Sequence, residues 1–179
     1  STEGLRIETG ATLESRAGAN VPFSLTFADN SRGQINGTWD FTGDPSVVLP
    51  NGATFNLPST TGFSNQVNVS GTIIFRNNTR VPLPGAGPGS AYLFFNSGST
   101  FQLDRNGGGT PQATWNANST ILVTGVTDQF PIFNLGTTND FGNLTWNTPA
   151  MAPPAGSFEL ALNGLDIQGN LSVLNTNNQ

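Results

Sequence analysis

The chain has 179 residues, only 9% of them charged, a formal net charge of −5, and no Lys, His or Cys. Its length suffices for one domain with a sizeable core, and its charge argues against nucleic acid or an anionic membrane surface, which need clustered cations. Without His or Cys, neither Ser-His-Asp or Cys-His catalysis nor a thiolate or imidazole metal site can be built. Thirteen Phe and three Trp favour a folded chain over a disordered one. No window approaches the roughly 18 apolar residues of a membrane span. The opening "STEGLRIETG" is not a signal peptide, so a removed signal or a fragment of a longer polypeptide is expected. Abundant Asn, Thr, Ser and Gly with few cations suit a secreted or surface-exposed bacterial protein better than a cytosolic enzyme.

In chain order the predicted strands are "GATLES" (10–15), "NGTWDF" (36–41), "GATFNL" (52–57), "SGTIIF" (70–75) and "GSTFQL" (98–103). They continue with "NSTILV" (118–123), "FGNLTW" (141–146), "FELAL" (158–162) and "QGNLSV" (168–173). Each is short, alternates apolar and polar positions, and is bounded by Gly, Asn or Pro. No helical spacing of apolar residues is sustained over ten positions, so helix is expected to be minor or absent.

The strands also resemble one another. One set joins the phrases at 10–15, 52–57, 98–103 and 118–123; a second joins those at 36–41, 70–75, 141–146 and 168–173. Such self-similarity marks a repeat architecture. Gly pairs 27 apart occur at 10/37, 62/89, 71/98, 98/125, 109/136 and 142/169. Chance gives roughly two, so a coil of roughly 27 residues, and about six to seven coils, is predicted.

The expected fold is a right-handed parallel β-helix, a single solenoid segment over 1–179, with the hand taken from the rule for parallel crossovers. The alternative is a β-sandwich or jelly roll, since Asn-Gly at 36–37, 51–52, 106–107 and 163–164 could close hairpins. The expected inward residues are Phe55, Ile73, Phe75, Phe101, Leu103, Ile121 and Val123. Trp39, Trp115 and Trp146 are expected to pack inside or at a coil edge. "RVPLPGAGPGSA" (80–91) and "NTPAMAPPAGS" (147–157) interrupt the pattern and are candidate protrusions.

Carboxylate chemistry remains open: parallel β-helices host polysaccharide lyases and glycosidases that use Asp clusters, sometimes with Ca²⁺ and an Arg base. Glycoside hydrolysis needs two carboxyls about 5–10 Å apart, and the local pairs are Asp40 with Asp44, and Asp128 with Asp140. The expectation is solvated turn acids, with no catalytic residue, no metal and no cofactor. "RNGGGTP" (105–111) lacks the Lys-Ser/Thr of a phosphate loop and reads as a turn. Six N-x-S/T sequons, at Asn36, Asn68, Asn77, Asn118, Asn143 and Asn170, barely exceed the roughly four of chance. The chain contains no T-x-T, the usual mark of an ice-binding β-solenoid face.

Over residues 113–173, "ATWNANSTILVTGVT…FGNLTWNTP…LNGLDIQGNLSV" resembles the repeats of large, adhesin-like β-helical cell-surface proteins of Bacteroidota. In those, a "TWNANST…ITGVT" phrase precedes "FGNLTWN" and then an "NGNLTV"-like coil. Residues 1–112 share only the style. The resemblance implies secretion, by the type IX system, to the bacterial cell surface, and a place in a long polypeptide whose neighbouring repeats are its first partners. Surface polysaccharide or another cell-surface protein would be the outside partner. The resemblance carries no catalytic residues.

Overall fold

The structure is a computed structural model that describes residues 2–16, 24–26, 31–42, 54–56, 66–76, 93–111, 113–133, 140–152, 162 and 164–176. The first eight strands are β1 (Thr2–Ile7), β2 (Thr12–Arg16), β3 (Ser24–Thr26), β4 (Ser31–Ile35), β5 (Thr38–Thr42), β6 (Thr54–Asn56), β7 (Gln66–Val69) and β8 (Thr72–Arg76). The next eight are β9 (Leu93–Phe95), β10 (Thr100–Asp104), β11 (Thr114–Trp115), β12 (Thr120–Val123), β13 (Asp140–Phe141), β14 (Asn143–Asn147), β15 (Asp166–Ile167) and β16 (Leu171–Asn175). The described residues contain no helix.

Two sheets dominate. A seven-stranded sheet runs β2-β5-β8-β10-β12-β14-β16, and a five-stranded sheet runs β1-β4-β7-β9-β11. Two short pairs, β3-β6 and β13-β15, complete the set. In every sheet the spatial order is the chain order, and every strand pairing among the described residues is parallel. Parallel neighbours need a crossover, usually a helix. Here each crossover passes instead through a strand of another sheet. A sandwich or jelly roll needs antiparallel pairs, and the described residues contain none. Asn36-Gly37, one of the hairpin candidates, joins β4 to β5, which lie in different sheets.

Register in the large sheet aligns Thr12, Thr38, Thr72, Thr100, Thr120 and Asn143. Successive partners are 26, 34, 28, 20 and 23 positions apart, and Leu144 pairs with Leu171 after a further 27. The predicted period of 27 is therefore an average. Of the glycine pairs, 142/169 falls in register, because Leu144 precedes Leu171 by the same step and Gly169 N donates to Gly142 O at 3.0 Å; 10/37, 71/98 and 98/125 do not. The other two pairs include residues outside the described set. The two sets of strand phrases also collapse into one: seven of the eight line the same sheet, while "GATFNL" supplies β6, paired with β3.

Alternation then fixes the faces, with the buried pattern iBiBi in β8, β10 and β14. The inward columns Trp39–Ile73–Phe101–Ile121–Leu144 and Phe75–Leu103–Val123–Trp146 are all at most 1% exposed. From the smaller sheet, Ile7, Ile35, Val69, Phe95 and Trp115 form a facing column. Phe95 stacks on Trp115 at 4.2 Å, and Phe101 meets Phe75, Phe95 and Trp115 edge-on at 5.0, 6.0 and 6.0 Å. Six of the seven expected core residues are thus buried in one cluster; Phe55 lies in β6, and its side chain is outside the described residues. All three Trp are interior. Trp146 carries its polar edge in by donating from Nε1 to buried Thr148 Oγ1 at 2.8 Å, the usual arrangement for a buried indole, whereas the Nε1 of buried Trp115 has no hydrogen-bond partner.

Between the two sheets the ladder turns a corner without breaking. The N–H groups of Asn36, Ser70, Asn96 and Asn116 donate to Ile7, Ile35, Val69 and Phe95 carbonyls at 2.8 or 2.9 Å. Two kinds of corner do this. The wider one is a β-turn: Ser99 N to Asn96 O, 3.1 Å, and Ser119 N to Asn116 O, 2.8 Å, each doubled by the Ser hydroxyl at 2.6 and 2.7 Å. The tighter one puts Gly37, Gly71 or Gly142 just before the strand. A Cβ on Gly71 would overlap Gly37 O and lie 2.6 Å from Asn36 O; on Gly142 it would overlap Ser119 O. Backbone layers at these corners leave no room for a side chain.

The expected protrusion at 147–157 is corrected in its first half. Thr148 and Met151 are buried, a turn closes from Met151 N to Thr148 O, and Ala152 N donates to Thr127 O. This stretch is held on the layer below because its Thr and Met have core partners. Residues 80–91 and 153–157 lie outside the described residues, as does most of "FELAL" (158–162).

Candidate functional site

Among the described residues, the outward face of the large sheet carries columns of mostly polar side chains. Its outer column is Thr12, Thr38, Thr72, Thr100 and Thr120, continued by Asn143; its middle column is Glu14, Asp40, Ile74, Gln102, Leu122 and Thr145. Neighbouring members of a column stand one strand spacing apart, about 4.8 Å. The Thr column is legible as the recurring Thr after each turn, and β-branched Thr suits a strand exposed on one face.

At the end of these strands Arg76 bridges two acids. Its Nε donates to both Asp40 oxygens at 3.1 and 3.0 Å, and its Nη1 pairs with Asp104 Oδ2. Asp104 Oδ1 accepts from Thr124 Oγ1 at 2.9 Å, and Gln102 Nε2 donates to that same hydroxyl at 3.1 Å. The three charged side chains are 15 to 34% exposed, so the pairs are partly shielded from water. Alternation places Arg76 opposite Asp104 and diagonal to Asp40.

Asp40 therefore has a carboxylate neighbour, but it is Asp104, with a guanidinium between; Asp44, its expected partner, lies outside the described residues. Asp128 and Asp140 sit in separate surroundings. Asp128 accepts from Asn106 Nδ2 at 2.5 Å in a loop, whereas Asp140 is in β13, in register with Asp166. The described residues contain no group of three or more acids that could hold a metal ion. Chemically, the Asp40–Arg76–Asp104 arrangement sets one cation between two anions across three strands.

A second polar device was not foreseen. Asn106 Oδ1 accepts three successive backbone N–H groups, from Thr127, Asp128 and Gln129, at 2.9, 3.0 and 2.9 Å. Together with Gly109 bridging Ile132, this stacks the bend after β10 onto the bend after β12. "RNGGGTP" is thus a turn, as expected, and Asn106 is its fastener. Arg105 packs over Gly108 (φ 85), where a Cβ would lie 2.7 Å from its Nε, and burial lowers its pKa from the ordinary value. The signal available was an Asn opening a Gly run, a residue that satisfies loop backbone with its own amide.

Arg76→Met is expected to cost about 1 kcal/mol or less, because partly exposed pairs contribute little. The loss should be larger in low salt than in high, since two carboxylates then face each other less screened. Urea unfolding at both salt levels checks this; a salt-independent loss of several kcal/mol would contradict it.

Compared with protein-family models, with curated proteins and with solved structures, the chain matches none.

Proposed function

We propose that the chain is a segment of a right-handed parallel β-helix, serving as a non-catalytic stalk or adhesive part of a secreted bacterial cell-surface protein. The observation that carries this reading is the large sheet, whose seven parallel strands follow chain order and pair in register. Such stacking makes a rod whose layers depend on their neighbours. The hand follows the general preference of parallel crossovers.

Two further features support a passive role over a carbohydrate-active one. The three Trp are buried, leaving none as a stacking platform for sugar rings, and Arg76 ties up Asp40 and Asp104. Export by a type IX system, a Bacteroidota origin and neighbouring repeats as partners rest on the phrases at 113–173 alone. Surface polysaccharide or another cell-surface protein would be the outside partner, met by the Thr- and Asn-lined face.

The competing reading, a polysaccharide-binding module or an Asp-based lyase or glycosidase, draws on Asp40 and Asp104 sharing one face. Small-angle scattering of the chain and of a tandem fusion of two copies, with a glycan array on both, separates the two. The stalk reading expects a constant cross-section, a length that grows with copy number, and no glycan whose binding depends on Asp40 or Asp104. A compact particle whose binding of one glycan class is lost in Asp40→Asn would overturn it.

A further inference from the structure

The bend after β10 opens on Asn106-Gly107, a dipeptide prone to rearrange on its own. Glycine has no Cβ to hinder its amide nitrogen from reaching the side chain of the Asn before it. Here conformation requires the glycine, because Gly107 has φ 66, a left-handed backbone that other residues disfavour. The residue that makes the turn therefore also exposes Asn106 to attack. In the folded stack both reacting groups are occupied. Gly107 N donates to Gln129 O at 2.9 Å. Asn106 Oδ1 accepts the Thr127, Asp128 and Gln129 N–H groups, and its Nδ2 donates to Asp128 Oδ1 at 2.5 Å. All of these bonds join the bend after β10 to the bend after β12. Attack needs the Gly107 N–H released and the Asn106 side chain turned away from its three donors, and neither occurs while the bends are stacked.

We propose that Asn106 is a conditional modification site, which converts to aspartate and isoaspartate only when the bend after β10 lifts from the bend after β12. In the open state a base removes the Gly107 amide proton, and the nitrogen attacks Asn106 Cγ. The N–Cγ bond forms, the Cγ–Nδ2 bond breaks, and the side-chain amide leaves as ammonia with a proton from water. Water then opens the five-membered imide. Breaking the bond from the Gly107 nitrogen to Cγ gives aspartate. Breaking its bond to the Asn106 main-chain carbonyl gives isoaspartate, with the chain rerouted through the side chain. One water is consumed and one ammonia released, and no oxidant takes part.

Either product records the opening permanently. Aspartate sets a second carboxylate against Asp128, where the amide had donated to it, and like charges at that distance repel. Isoaspartate lengthens the main chain by one methylene and shortens the side chain, so its carboxylate no longer meets the three N–H groups. The fastener between the two bends is lost. Asn36-Gly37 carries the same arrangement at a tight corner. Gly37 N donates to Ile7 O at 3.2 Å, and Asn36 Oδ1 accepts from Gln34 Nε2 at 2.8 Å. The inference concerns backbone chemistry at these turns and is independent of the role proposed above.

Peptide mapping by mass spectrometry of the chain aged in mildly alkaline buffer, folded and in concentrated urea, gives the two rates at Asn106. The folded rate should be at least about tenfold lower, since the opening breaks several backbone bonds together. Hydrogen exchange supplies the sharper check. Exchange at Gly107 and attack by its nitrogen both need the same N–H freed and deprotonated. The slowing of the reaction should therefore match the protection of that one amide within a few-fold, and Asn36 should follow Gly37 in the same way. The modified chain, separated by its added negative charge, should have lost protection at the Thr127, Asp128 and Gln129 amides while the large sheet keeps its own. Equal rates in the folded and unfolded chain, a slowing unrelated to the protection of Gly107, or a modified chain still protected at those three amides would each overturn the proposal.

Discussion

Gly71→Ala is expected to destabilise the chain by about 4 kcal/mol or more, into the range reserved for backbone or core disruption. The new Cβ would overlap Gly37 O and stand 2.6 Å from Asn36 O, and both are backbone atoms of the layer below. Those atoms cannot swing aside as a side chain could. Moving Gly71 away instead would break its N–H bond to Ile35 O, 2.9 Å, and the Thr100 N bond to its own carbonyl, 2.9 Å. Gly98→Ala is the matched control. Gly98 has φ 77 but nothing within 4 Å of a Cβ, so only the left-handed backbone is penalised, by about 1–2 kcal/mol. Thermal and urea unfolding of both variants would show it. Equal losses would mean that the tight corner is softer than its geometry implies.

Phe101→Ala is the second large effect, expected at about 3–5 kcal/mol. Phe101 is fully buried and is the ring on which the two sheets meet, touching Phe75 on its own sheet and Phe95 and Trp115 on the other. Truncation removes three aromatic edges at once and leaves a cavity that fixed neighbours on both sheets cannot close. Against a total stability of about 5–15 kcal/mol for a domain, that loss should shift the urea midpoint strongly. In a layered stack each strand supports the next, so hydrogen-exchange protection should fall first in β8, β10 and β12. A loss confined to β10, or below about 1 kcal/mol, would show that the rings pack independently.

Strand type and inward residues were readable because alternation is local: Ile73 and Phe75, Phe101 and Leu103, Ile121 and Val123 each sit two positions apart. Which strands are neighbours was less readable. The crossovers vary from 20 to 34 positions, so a fixed spacing between glycines finds Gly142 and Gly169 but matches Gly71 to Gly98 when the counterpart of Gly71 is Ser99. The distinction between "GATLES" and "NGTWDF" phrases was real but concerned the corners, wide or tight, while Leu13 and Trp39 share one column. The polar site failed for the same reason. Asp40 drew notice beside Asp44, yet its partner Arg76 is 36 positions away and reaches it only through the Thr38–Thr72 register. Asn106, whose three acceptor bonds span 21 to 23 positions, is equally invisible to any short window.

The unequal crossovers have one more consequence, for how such a chain can change over generations. In the large sheet a residue's place depends on its column and not on a fixed count from its neighbour, since Thr72 and Thr100 align as well as Thr100 and Thr120. A gene duplication or deletion running from any residue to its in-register partner therefore adds or removes one whole layer and keeps every remaining strand in phase. Insertions in the loops of a crossover, outside its strands, alter the surface without altering that phase. The lineage of such a molecule is free to vary its length and its decoration as separate traits.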